Sequence, residues 1–388
     1  MTVTTPPETA TAPKPGAAGG LRDVVATTSA ISTIDGNRGK LMYRGIDIND
    51  LAEHSTFEET TALLWYGDLP NARQLQRFEE KFVANRLIPN EVLSFLLALP
   101  RRNTPMGALR TAVSASAAFD PSEGDNSLEA NYLKSIRVTS SLPTIVAAWD
   151  RIRRGLWPIN PRPDLNHAAN FLWMLRGEEP SETEARAMDV SLILHADHEL
   201  NASTFAARVT ASTLSNLHSA IVSAIGTLKG PLHGGANEQV MRTLLEIGDI
   251  NNIEPYMQRA FSEKRKIMGF GHAVYKVDDP RSYWLRKYAH ELAAEKGNTK
   301  WIEMSEKVRE VVQANRSLIV NVDFYSASLY YVMGIPLDLF TPLFAISRVA
   351  GWTAHVYEQY SNNKLLRPTA EYIGPLDVPY TPIDERED

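Results

Sequence analysis

Residues 214–237 read LSNLHSAIVSAIGTLKGPLHGGAN, a stretch that carries a fold signal and a chemical one together. Leu214, Leu217, Ile221, Ile225 and Leu228 recur at three- and four-residue spacing, the period of one apolar helix face. Gly230-Pro231 ends the helix this spacing predicts over 214–228, because proline lacks an N–H for the ladder and clashes with the preceding turn. His233 follows at once, with Gly234 and Gly235 after it, and glycines let backbone approach a ligand closely. A histidine held there suits donation to a carbonyl oxygen that is gaining negative charge. It equally suits a plain loop histidine in a tight turn between domains.

Helical punctuation continues in both directions. Ser55-Thr56-Phe57-Glu58-Glu59 holds two overlapping capping boxes, and the segment they open stops at Gly67. A segment around Trp284, Leu285, Tyr288 and Leu292 stops at Gly297, and a long apolar stretch runs from Leu339 to Tyr360. Strand signals are sparse. The clearest is 31–43, where Asp35-Gly36 and Gly39 suit the turn of a short hairpin ending in Leu41-Met42-Tyr43. The fold class expected is all-α, predominantly helical, and 388 residues suggest two domains.

Composition narrows the chemistry. With 44% hydrophobic and 22% charged residues the chain reads as globular, and no run of about 18 apolar residues suggests a membrane span. A net charge of -6 gives no general affinity for nucleic acid. There is no cysteine, so disulfides, thiolate nucleophiles and cysteine-ligated metals are excluded. Residues 1–20 lack both an apolar signal core and an arginine-rich amphipathic pattern; their Pro, Thr, Ala and Gly content reads as a disordered tail, and a cytoplasmic location is expected.

Reactive roles then fall to nine histidines and to acids. Met268-Gly269-Phe270-Gly271-His272 lies just after Lys264-Arg265-Lys266, and exposed amides with lysines suit a phosphate-bearing ligand. The basic run taken alone reads as a solvated helix face. Asp323, within NVDFYS (321–326), sits among apolar and aromatic residues that would raise its pKa as a general base requires; taken alone, an N-cap aspartate is the simpler reading. His195 and His198, three apart, would share a helix face, but no HExxH pattern or third ligand accompanies them, so no metal is expected. Arg281, Arg348 and Arg367 match carboxylates in bidentate fashion and equally match structural ion pairs.

Taken in order, these blocks resemble the citrate synthases. GFGHAVYKVDDPR (269–281) is similar to the family signature, and GPLHGGAN (230–237) and NVDFYS (321–326) to its other catalytic blocks. YRGIDINDLA (43–52), LHADHELNAS (194–203), LFTPLFAISRVAGW (339–352) and LLRP (365–368) extend the resemblance from about Gly20 nearly to the C-terminus. It implies a condensation of acetyl-CoA with oxaloacetate, followed by hydrolysis of citryl-CoA, with no metal or redox cofactor. Asp323 would remove the methyl proton, His233 would stabilise the enolate oxygen, and His272 would polarise the ketone. His198, Arg281 and Arg348 would hold oxaloacetate, with Arg367 reaching in from the second subunit of a homodimer. Lys264, Lys266, Met268, Gly269, Phe270, Gly271 and Lys276 would contact CoA. A large helical domain (21–235 and 335–388) would carry a smaller mobile one (236–334) that closes over the substrates.

Three positions depart from common family patterns: Thr104 before Pro105-Met106, Ala273 after His272, and Val320 before Asn321. None belongs to the trio. The nearest rival on this scaffold is 2-methylcitrate synthase, which takes propionyl-CoA, and about one methylene of pocket space separates the two. Tyr325, Ser326 and Ala327, beside the expected base, are candidates for shaping that space. A non-catalytic CoA-binding protein is the rival from another class, and a metal-dependent hydrolase is the most distant.

Overall fold

A computed structural model describes residues 24–386, so the tail expected over 1–20 lies outside the described residues. The chain divides into two units, one spanning Ser29–Leu365 and one whose described residues are 24–28 and 366–386. Within the second unit, residues 366–386 are irregular apart from one 3-10 turn, Ile383–Glu385.

The main unit opens with an antiparallel sheet of β1 (Ser32–Asp35), β2 (Lys40–Tyr43) and β3 (Ile46–Asp47), with Ser32 opposite Tyr43. The hairpin read from Asp35-Gly36 and Gly39 is therefore present, and β3 is added to it. Helices then follow: α1 (Ile48–His54), α2 (Phe57–Tyr66), α3 (Ala72–Ala84), α4 (Asn90–Ala98) and α5 (Pro105–Ala117). Next come α6 (Leu128–Arg153), α7 (His167–Arg176), α8 (Glu182–His195), α9 (Ala202–Ser212) and α10 (Leu217–Leu228). The last six are α11 (Ala236–Ile247), α12 (Ile253–Ser262), α13 (Pro280–Glu295), α14 (Lys300–Arg316), α15 (Val322–Val332) and α16 (Phe340–Ser361). The fold is all-α, as expected.

Local chemistry explains most boundaries. Thr56 caps α2 by accepting the Glu59 N–H, and Gly67 ends it in the left-handed region at φ 94. The α10 boundary corrects the expectation of a helix from 214. Leu214 lies at φ 65, outside any helix, and Asn216 caps the helix that begins at Leu217. An amide that can satisfy an orphan N–H overrides one more apolar residue in register.

Helix α16 is the axis of the packing. It is buried along most of its length and lies against α6, α8, α9 and α10. Each fully buried Leu, Ile, Val or Phe there contributes about 1.5–3 kcal/mol. Gly351 is where α16 meets the turn after α8: a Cβ there would fall 2.4 Å from the Ala196 carbonyl oxygen, and the Gly351 N–H donates to that oxygen at 3.0 Å. A second set of contacts joins α11, α13 and α14 to α15. The two sets present several helix N-termini whose first-turn residues make the site described next.

Candidate active site

Three first-turn residues and two loop histidines compose the site. Ser203, Arg281 and Asp323 are each the second residue of their helices, α9, α13 and α15. Helix N-termini carry partial positive charge, which favours anionic groups nearby.

Asp323 is not an N-cap, which corrects the simpler reading. Asn321 caps α15 by accepting the Asp323 N–H at 3.0 Å, leaving the Asp323 carboxylate free of that duty. Burial pushes the carboxyl up to about 6, against the pull of Arg281 and Arg348. A base poised near neutrality is the result.

His272 sits on a strand-like crossing that ties its loop to Asp323. Phe270 bridges Val320, the Gly271 N–H donates to the Ile319 carbonyl at 2.8 Å, and the Asn321 N–H to the Gly269 carbonyl at 3.0 Å. Asn321 also donates its side-chain amide to the Gly271 carbonyl at 3.0 Å. Gly269 is required twice over: its φ is 82, and a Cβ would sit 2.8 Å from the Phe324 ring. On the ring of His272, Nδ1 accepts the N–H groups of Val274 and Tyr275 at 3.0 and 3.1 Å. Burial lowers its pKa, and Arg281 adds to the effect. The neutral ring therefore carries its proton on Nε2, ready to donate.

His233 is held the opposite way. Its Nε2 accepts the backbone N–H of Ser203 at 3.2 Å and lies 2.8 Å from the Ser203 hydroxyl. Burial, helped by Arg348, pulls its pKa down to about 4. The neutral ring then carries its proton on Nδ1. Trp352 donates to the Ser203 hydroxyl at 3.1 Å, and that hydroxyl lies 2.8 Å from the Asn201 side-chain oxygen, so three residues fix one imidazole.

The arginines differ from one another. Arg281 is 2% exposed and forms a bidentate pair with Asp279, at 2.9 and 2.7 Å. Burial would lower its pKa, but Asp279 holds it up. Arg348 is 1% exposed, donates Nε to the His195 carbonyl at 2.7 Å, and packs over the Phe344 ring. Among the described residues no carboxylate is ion-paired with it, and burial draws its pKa down to about 10. A buried guanidinium without a paired anion is costly and suits an anionic substrate. Arg367 belongs to the other unit, where it is exposed.

His198 lies beyond α8, which ends at His195, so the two do not share a helix face. That removes the spacing argument for a metal pair. The buried Nε2 atoms of both histidines bond no protein group, and burial holds both rings neutral, His195 near 3. The His198 and His272 rings lie 5.4 Å apart. Arg348 acts on His233, His198 and Asp323, and Arg281 on His272, His198 and Asp323. Residues up to 150 positions apart, His198 and Arg348, thus share one electrostatic neighbourhood.

Beside this cluster lies a pocket of about 210 Å³, lined by Lys266, Met268 and Phe324 together with Tyr256, Met257 and Arg265. None of His233, His272 and Asp323 lines it. Lys264 and Lys276 are exposed, whereas Gly269 and Phe270 are buried at the crossing and Gly271 is partly so. The basic run is not a helix face: α12 ends at Ser262 and Lys264 adopts φ 54.

Sequence reasoning missed Ser203, Asn201, Trp352 and Asp279 as supports. Asp279 left a signal, an acid before Pro280 that reads as an N-cap; the Ser203–His233 contact left none.

A family model described as citrate synthase, C-terminal domain, matches residues 20–369. The chain is 50% identical to citrate synthase 2 of Bacillus subtilis, over 95% of this chain and 98% of that protein. It is 48% identical to a citrate synthase of Haloferax volcanii at the same coverage, and 42% to 2-methylcitrate synthase 1 of Corynebacterium glutamicum, again over 95% and 98%. A Thermotoga maritima citrate synthase structure superposes with TM-score 0.86 at 44% identity, covering 95% and 99% of the two chains. A Thermoplasma acidophilum citrate synthase, solved as a ternary complex with carboxymethyl coenzyme A and oxaloacetate, gives 0.88 at 34% identity over 95% and 98%.

Proposed function

The chain belongs to the citrate synthase family, and from that premise we propose that it condenses acetyl-CoA with oxaloacetate and hydrolyses the product thioester to citrate and free CoA. It is an acyltransferase. The observation that carries the reading is the pairing of two oppositely fixed neutral imidazoles with a carboxyl raised to about 6, Arg348 acting on His233 and Asp323 and Arg281 on His272 and Asp323.

The methyl group of a thioester is very weakly acidic, so Asp323 alone cannot ionise it. As the carboxylate takes the proton, the carbon–hydrogen electron pair moves toward the thioester oxygen. The Nδ1–H of His233 meets that growing charge, and such a donor is worth about 3–4 kcal/mol. The enol carbon then attacks the oxaloacetate ketone, whose oxygen receives the Nε2 proton of His272. Water cleaves the thioester, giving citrate and CoA. His198, Arg281 and Arg348 hold the dicarboxylate. The residues need no metal or redox cofactor for these steps.

Lys264, Lys266, Met268, Gly269, Phe270, Gly271 and Lys276 are proposed to contact CoA; the basic, partly apolar pocket at Lys266 and Met268 supports this. Residues 236–334 are proposed to move as the closing domain, excluding water from the enolate. The working unit is proposed to be a cytoplasmic homodimer in which Arg367 serves the partner's site. Among the described residues no helix is long and apolar enough to cross a membrane.

The test is release of free thiol from acetyl-CoA with oxaloacetate, run in parallel with propionyl-CoA. A larger kcat/KM for propionyl-CoA would assign the chain to the 2-methylcitrate reaction. Thiol release that survives Asp323→Ala unchanged would remove the assigned base.

A further inference from the structure

Tyr275 is 1% exposed, and its buried hydroxyl bonds no protein group. Such an orphan is costly unless a ligand satisfies it. Its ring completes a triangle with the two histidines of the dicarboxylate site: 4.6 Å to His272, 5.7 Å to His198, and 5.4 Å between those two. On the neighbouring His198 ring, the buried Nε2 is likewise without a protein partner. Arg281 is the guanidinium nearest in effect to Tyr275, His198 and His272 alike. Burial raises the hydroxyl's pKa, so at neutral pH it remains a donor.

The loop that carries Tyr275 is pinned from outside the site. The Lys276 N–H donates to the Gly36 carbonyl at 2.8 Å, and a Cβ on Gly36 would fall 2.3 Å from the Val274 carbonyl oxygen. The β1–β2 turn therefore presses against 274–276 and holds the ring inward. The backbone N–H of Tyr275 meanwhile orients His272. Backbone and hydroxyl thus have separable tasks.

We propose that the Tyr275 hydroxyl is a further substrate-binding group, donating a hydrogen bond to a carboxylate oxygen of the 2-oxo dicarboxylate on the Arg281 side of the site. This rests on the reaction proposed above and adds a contact to it. A hydroxyl donor to an anionic oxygen is charge-assisted, and its removal weakens binding by about tenfold or more.

Tyr275→Phe isolates the hydroxyl, since it keeps the ring and the backbone N–H that serves His272. Oxaloacetate binding to the full chain is measured by titration calorimetry without acyl-CoA, alongside KM for acetyl-CoA and thermal unfolding of the unliganded protein. The expected result is an oxaloacetate Kd at least about tenfold weaker, an acetyl-CoA KM within about twofold, and a Tm unchanged or raised because an orphan donor is gone. An oxaloacetate Kd within about twofold of the unmodified protein's overturns the assignment. So does a loss of both affinities with a lowered Tm, which would mark a structural tyrosine. If the unmodified protein fails to bind oxaloacetate, the proposed reaction itself fails, a result distinct from a silent Tyr275→Phe.

Discussion

Ser203 presents both its backbone N–H and its hydroxyl to Nε2 of His233, at 3.2 and 2.8 Å. Two groups on one residue thereby decide which nitrogen of the imidazole keeps the proton. Ser203→Ala retains the N–H and removes the hydroxyl, so the tautomer survives while the Trp352 indole loses its acceptor. The expected outcome is a kcat reduced by about three- to tenfold, oxaloacetate affinity unchanged, and a stability loss of about 1–2 kcal/mol for the stranded indole donor. Steady-state kinetics and denaturant unfolding check both. A kcat loss beyond about 100-fold would mean that the hydroxyl, rather than the amide, sets the tautomer.

The raised Asp323 carboxyl makes two opposite predictions about pH. Activity requires the ionised form, so kcat/KM falls as pH drops through about 6. Stability runs the other way. Between the ordinary aspartate value of 3.8 and about 6 the unfolded chain ionises this group while the native state keeps its proton, so native stability declines as pH rises through that window. The interval corresponds to about 3 kcal/mol, and solvent at the part-exposed residue reduces it to about 1–2 kcal/mol. Asp323→Asn should therefore unfold at higher denaturant than the unmodified protein at pH 7.5 and at the same concentration at pH 4. Equal midpoints at both pH values would show that the carboxylate is not desolvated.

How much of this was legible beforehand follows from chain distance. The hairpin at 31–43, the stop at Gly67 and the apolar run of α16 were readable because caps, turns and periodicity act over a few residues. The same locality misled at 214, where apolar spacing spoke for a helix and the amide of Asn216 decided otherwise. Asp323 was ambiguous because Asn321, two residues earlier, is just as good a cap. The Ser203–His233 and Tyr275–His198 contacts span 30 and 77 positions, and nothing in either segment names its partner. The family resemblance supplied roles for the histidines, and the supporting shell emerged only from the fold.

Arg348 should separate binding from stability. Its guanidinium is buried and, among the described residues, unpaired with any carboxylate, so the folded chain bears a desolvation cost that a bound dicarboxylate offsets. Arg348→Met keeps the stem's packing and removes the charge. Oxaloacetate affinity is expected to fall at least about 100-fold, while the Tm of the unliganded protein stays level or rises. In the unmodified protein, saturating oxaloacetate should raise Tm, and in the variant the same concentration should not. A variant that unfolds several degrees lower yet binds normally would recast Arg348 as structural.

Gly269 and Gly271 offer a matched pair for the crossing that joins His272 to Asp323. Both adopt positive φ, 82 and 79, so alanine at either position incurs about 1–2 kcal/mol of backbone strain. They differ in what a side chain would meet. At Gly271 a Cβ finds open space, whereas at Gly269 it falls 2.8 Å from the Phe324 ring and 2.9 Å from a Val240 methyl. Phe324 is the residue after Asp323, so relieving that overlap displaces the base. Gly271→Ala should therefore lose about 1 kcal/mol of stability and keep kcat within about threefold. Gly269→Ala should lose about 3 kcal/mol and at least about tenfold in kcat, because small misplacements of a reacting group are disproportionately costly. Chemical denaturation and initial rates on the two proteins side by side decide it, and equal kinetic losses would show that strain alone, without contact to Phe324, governs this crossing.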